Sequence, residues 1–207
     1  MAVIDQLAYS LNRRDEGPNI ELAKNIIQKK DKAAIKELML LLHHKNANIL
    51  SDAIKVLYEI GEINPGFISD HLDDFVSLLH HKNNRLVWGA MAAINAVTSI
   101  RPDEVYRLLP HLADAANNGS VITRDRYVYL LAKLESGKKY KGKLFPLILE
   151  QIRTCPINQC GMYAECTLPL ITKKNKGDFL EAVQSRLKDA EKETIKKRLM
   201  KILQKTL

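Results

Sequence analysis

"FVSLLHHKNNRLVWGAMAAINAVTSIRPDEVYRLLPHL", residues Phe75–Leu112, is the stretch that decides the fold. Leu72, Phe75, Leu78 and Leu79 set an apolar stripe at i, i+3, i+6 and i+7, the spacing of one helical face. A polar turn, "HHKNN", follows. Asn83 or Asn84 is suited to start a second helix there, because its side chain accepts from N–H groups that have no carbonyl one turn back. That helix carries Leu86, Ala90, Ala93, Ile94 and Val97 on one face, with small alanines at its centre to let a neighbouring helix approach. Pro102 then breaks the chain, and Asp103 with Glu104 favours a fresh helix N-terminus.

The unit repeats. "LLHHKN" stands at Leu41–Asn46 and again at Leu78–Asn83, 37 residues on. The same offset carries Ala53 to Ala90, Leu57 to Ile94, Ile60 to Val97 and Pro65 to Pro102. A further step reaches Tyr127, Leu131 and Leu134, and another Ala164, Leu168 and Ile171, so the apolar skeleton outlasts the motif. A period of this size with helical spacing inside each unit predicts a solenoid, because each helix pair can bury its apolar face only against the next.

The run Phe75–Leu112 resembles the HEAT-repeat, armadillo-like family: an apolar first helix, a polar turn, an alanine-centred second helix and a Pro-Asp restart. The usual arginine near the start of the second helix is Leu50 and Val87 in two units and survives only as Arg124. The resemblance implies an all-α, right-handed α-solenoid of about five to six stacked HEAT-like helix pairs. Residues 1–207 are expected to form a single repeat domain, clearest over residues 33–134. The expected pairs are Val3–Asn12 with Asn19–Lys30, Asp31–His43 with Asn48–Gly61, and Phe67–His80 with Asn84–Ile100. Asp103–Ala116 with Ile122–Glu135 and Leu144–Arg153 with Asn158–Ile171 follow. A basic capping pair over residues 178–207 closes the array, with Ile195, Leu199 and Ile202 facing inward and Lys192, Lys196, Lys197 and Lys201 outward.

Composition agrees with a folded helical chain: 46% apolar and 27% charged residues, with only 9 glycines and 7 prolines. No apolar run approaches the roughly 20 residues of a membrane helix, and the N-terminus lacks a secretory pattern. Three cysteines, confined to residues 155–166, make no disulfide framework. A reducing, cytoplasmic location is expected. Charge is uneven: residues 1–137 hold 16 basic and 17 acidic side chains, and residues 138–207 hold 16 and 7. Such a basic end reads either as a solvated lysine-rich cap or as a surface for nucleic acid, anionic lipid or acidic protein.

No phosphate loop, metal-binding H-E-x-x-H or nucleophile elbow is present, so no enzyme activity, cofactor or metal site is predicted. Cys155, Cys160 and Cys166 lie five and six apart, without the close pairs of a zinc site, and Cys160 aligns with the core positions Ile49 and Leu86. His43–His44 and His80–His81 end first helices, where a polar helix-end role stands beside metal or proton sensing.

The resemblance places second helices on the concave surface. At about 100° per residue, the exposed register holds Lys55 and Tyr58 in one unit, Trp88 and Asn95 in the next, and Asp125 and Tyr129 in the third. These six residues are the candidate contact strip for a protein or peptide partner, tryptophan and tyrosine being frequent anchors of interfaces. The alternative for the aromatics is lateral packing between neighbouring second helices. The alternative function is a nucleic-acid-binding solenoid using the basic C-terminal third. Size and helix content are similar to the DNA-alkylation-repair glycosylases, but Trp88 is the single tryptophan and position 92 is alanine, so that activity is not carried over. A third reading is an assembly subunit docking through a helical side.

Overall fold

The computed structural model describes residues 2–206. Among them twelve α-helices and four short 3-10 turns follow one another without a strand, and no helix is long and apolar enough to cross a membrane. The chain divides between Tyr127 and Val128 into two compact units.

The N-terminal unit contains α1 (Gly17–Lys29), α2 (Lys32–Leu41), α3 (Ala47–Ile63), α4 (Leu72–Ser77), α5 (Asn84–Val97), α6 (Pro102–Arg107), α7 (Leu109–Asn118) and the start of α8 (Val121–Ser136). α3 packs against both α1 and α5, so the second helices form one layer, while α2 rests on α3 and α4 on α5. Leu38, Ile54, Leu57, Ile60, Leu72 and Phe75 are fully shielded in this unit. Each such side chain contributes about 1.5–3 kcal/mol by leaving water. The approach of α3 to α5 depends on glycine. A Cβ at Gly89 would stand 2.6 Å from Ile54 Cγ1, and one at Gly61 would stand 2.5 Å from Ile68 Cδ1 and 3.0 Å from Ala96 Cβ.

The doubled "LLHHKN" is a doubled cap. His44 Nδ1 accepts from the backbone N–H of Asn46 at 3.0 Å, and Asn46 Oδ1 accepts from Asn48 N at 2.9 Å, starting α3. His81 Nδ1 accepts from Asn83 N at 3.0 Å, and Asn83 Oδ1 accepts from Arg85 N at 2.9 Å, starting α5. The second histidine of each pair thus offers Nδ1 to the backbone N–H of the asparagine that caps the next helix.

Three helices expected in this unit take a different form. Val3–Asn12 holds only a 3-10 turn, Ile4–Gln6. Its N–H groups are taken by side chains of other helices: Glu37 accepts from Val3 N at 2.8 Å, Asn19 from Ala8 N at 3.0 Å, and Asp52 from Tyr9 N at 2.7 Å. The helix expected over Phe67–His80 shortens to α4, because Pro65 and an Asn64 side-chain turn onto Gly66 N start two 3-10 turns ahead of it. Asp103–Ala116 is cut into α6 and α7 at Pro110, which has no N–H to donate to the preceding turn.

The C-terminal unit holds the rest of α8, α9 (Phe145–Thr154), α10 (Ile157–Thr167), α11 (Lys176–Asp189) and α12 (Glu193–Thr206). α9 packs on α11 and α10 on α12, so two helix pairs stack in register. Pro169 ends α10, and a 3-10 turn at Leu168–Leu170 completes the stretch expected to be helical to Ile171. Leu199 and Ile202 are buried and Ile195 is half-buried, while Lys192, Lys197 and Lys201 are exposed. Cys155 and Cys160 are buried and Cys166 half-buried, all as free thiols.

Candidate protein-binding site

α3 brings Lys55, Tyr58, Glu59 and Glu62 to one face, because residues three, four and seven apart share a side of a helix. α5 brings Arg85 and Trp88 to the face beside them, again three apart. The close α3–α5 approach allowed by Gly89 sets Tyr58 against Trp88, with ring centroids 5.5 Å apart and planes tilted 51°. That separation lies within the roughly 4.5–7 Å range of interacting aromatic pairs, and the tilt falls between stacked and edge-to-face. Lys55 Nζ lies 4.8 Å from the centre of the Tyr58 ring, and the Arg85 guanidinium 5.8 Å from that of Trp88. Each aromatic therefore has a cation of its own.

The carboxylate of Glu16, which precedes α1, ties the two cations together: Lys55 Nζ is 2.8 Å from Oε2 and Arg85 donates to Oε1 at 2.6 Å. Glu59 adds a second partner to Lys55 at 2.6 Å. The Lys55 side chain is only 7% exposed, against 45% for Glu16. Burial works against the Lys55 charge, but hydrogen bonds to Glu16 and Glu59 outweigh it and hold the ammonium above its ordinary value. Glu16 moves the opposite way: the hydrogen bond from Lys55 keeps its carboxyl below the ordinary 4.5, against the opposing effect of burial. Burial raises the Tyr58 phenol, with Lys55 pulling it back. Beside this network a cleft of about 470 Å³ opens between the N-terminal segment and α3, lined among others by Tyr9, Arg13, Arg14, Glu16, Asp52 and Arg85.

The six expected contact residues fare differently. Lys55, Tyr58 and Trp88 come together. Lys55 and Tyr58 are buried, and Trp88 is half-buried, so the aromatics pack laterally and Trp88 also meets solvent. Asn95 is half-buried further along α5, and Asp125 is half-buried on α8. Tyr129, also half-buried, falls in the C-terminal unit. Arg126 lies 3.4 Å from Glu62, carrying the alternation of charge to α8. Sequence reasoning missed Arg85 and Glu16. Arg85 was within reach, being one turn before Trp88. Glu16 was not, since its partners are 39 and 69 residues away.

No family model matches the chain, and no curated protein matches it. Among solved structures it is similar to an engineered protein from the Northeast Structural Genomics Consortium, with a TM-score of 0.63 and 15% identity over 100% of this chain and 97% of that one. It is also similar to computationally designed armadillo repeat proteins for modular peptide recognition, with a TM-score of 0.62 and 16% identity over 89% of this chain and 85% of that one. At such identities the likeness speaks for the fold alone, and that fold is the all-α, armadillo- or HEAT-like repeat solenoid.

Proposed function

We propose that the chain is a non-catalytic repeat scaffold that holds a peptide or protein segment on the face of the second helices of its N-terminal unit, using Lys55, Tyr58, Trp88, Asn95 and Asp125. The observation that carries this reading is the Tyr58–Trp88 pair with a cation over each ring and Trp88 still open to solvent. An aromatic held rigid by its neighbours gives contact area with little ordering cost on binding. The surrounding charges give direction: a partner's carboxylate exchanges with Glu16 on Lys55 and Arg85, while a partner's cation meets Glu59 and Glu62. Similarity to armadillo repeats designed for peptide recognition supports the same mode of use. A cytoplasmic setting, where the three thiols stay reduced, goes with it.

The test is selection from a random linear peptide library on the intact chain, followed by affinity measurement with Trp88→Ala. Selected peptides should bind at least about tenfold more weakly to the variant, or roughly 1.4 kcal/mol, while its melting stays cooperative. A loss of several kcal/mol of stability instead, the behaviour of a truncated core aromatic, would assign Trp88 to the core and end this reading.

A further inference from the structure

The C-terminal unit carries a second, separate cleft. It has a volume of about 810 Å³, within the roughly 300–1,000 Å³ of ligand-binding pockets. Two lysine-rich loops bound it. One follows α8 and bears Lys138, Lys139, Lys141 and Lys143; the other precedes α11 and bears Lys173 and Lys174, with Lys176 opening that helix. All of these except Lys176 are exposed, and Lys141, Lys173 and Lys174 line the cleft directly.

Both loops are held in place. The buried carboxylate of Glu135 accepts from Gly142 N at 2.5 Å and Leu144 N at 2.8 Å. Gly142 sits at φ +83°, a conformation that a side chain would resist. Asn175 accepts from Thr172 N at 2.6 Å and donates to Leu170 O at 3.2 Å. The N-termini of α9 and α11 both open at this cleft, through Phe145 and Asn175, and neither is closed by a side-chain cap. Their partial positive charge adds to that of the lysines. Between the loops the wall is largely apolar, with Phe145, Pro146, Pro169, Leu170 and Ile171.

We propose that this cleft binds an acidic peptide segment through its carboxylates, with an aliphatic side chain of that segment set against Leu170 and Ile171. Charge complementarity selects an anionic occupant. Three features favour a peptide over nucleic acid. The partly open part of the wall is proline and aliphatic rather than an aromatic platform for bases. The cations lining it are lysines, without an arginine fork for phosphate. Asp178 stands in the wall, where its carboxylate can accept from a peptide backbone N–H, a donor that a phosphodiester backbone lacks.

The experiment uses the full chain and a fluorescein-labelled peptide of glutamates around one leucine, read by fluorescence polarisation. The peptide should bind with an affinity that falls as salt rises. Lys141→Glu/Lys174→Glu should weaken it at least about tenfold, and replacing the leucine of the peptide by glycine should weaken it severalfold. Trp88→Ala should leave it unchanged, which separates this cleft from the aromatic strip. The exposed lysines serve no core packing, so the double variant should keep its melting temperature. The proposal is overturned by absence of binding at low salt, by equal binding to the double variant, by equal binding of the leucine-free peptide, or by a single-stranded oligonucleotide of equal charge competing as well as the peptide.

Discussion

The two units are built from the same kind of helix pair but hold their charge in different places. Residues 1–127 carry 15 basic and 16 acidic side chains, and residues 128–207 carry 17 and 8. In the N-terminal unit acidic and basic side chains nearly balance, and some join one element to another, as Glu16, Lys55 and Arg85 do. In the C-terminal unit a large share lies on two loops, outside the repeat register, where Glu135 and Asn175 fix the backbone rather than the lysine tips. Repeat helices confer stacking; whether a surface is neutralised or left electropositive is decided by where the charges fall relative to the period.

The contrast can be broken most sharply at Glu135. Glu135→Ala strips the acceptor from two backbone N–H groups beneath the lysine loop and should cost about 3 kcal/mol, measured by urea unfolding. It should also abolish acidic-peptide binding while leaving the near-ultraviolet signal of Trp88 intact. On the other side, Gly89→Ala presses a methyl onto fully buried Ile54. Overpacking of about 1–3 kcal/mol should exceed the helix-propensity gain of about 1 kcal/mol. Net destabilisation with a shifted Trp88 emission is the expected result, and a stabilised variant would show that α3 and α5 yield freely.

The histidine caps sharpen the comparison at smaller scale. His44→Ala and His81→Ala should each cost about 0.5–1 kcal/mol, and the double variant their sum, because the two turns are separate local devices. Thermal melts of the three variants decide this. The smallest effect is that of pH on Glu16. Its folded carboxyl titrates below the ordinary 4.5, so its contribution is complete above that value and is lost as pH falls through the depressed one. Solvent exposure keeps the effect modest. Glu16→Gln should flatten the decline in stability between about pH 5 and 3, whereas Glu165→Gln, at an exposed pair with Arg198 in the C-terminal unit, should leave the Trp88 signal unmoved.

The repeat was legible because its signals are local. Leu72, Phe75 and Leu78 mark a face, Asn46 and Asn83 mark helix starts, and the 37-residue offset places Trp88 in the unit after Tyr58. What escaped depended on distance along the chain. The first segment has apolar spacing fit for a helix, yet Glu37, Asn19 and Asp52 capture its N–H groups from elsewhere. Pro110 and Pro169 were readable breaks that apolar periodicity ran across. The network at Trp88 needed Glu16, whose position follows only from the packing of α1 on α3. Likewise, counting lysines revealed a basic end but no cleft, since its two loops are separated by α9 and α10.

The histidine–asparagine turns also bear on how the chain folds. Each closes within two or three residues, so its entropy of closure is small, and each fixes the first turn of a helix, the step that otherwise limits helix formation. α3 and α5 are therefore expected to nucleate at these turns before neighbouring repeats pack. Disruption of either turn should slow refolding more than it hastens unfolding, making "LLHHKN" a kinetic starting point, twice installed, for the layer on which Trp88 is displayed.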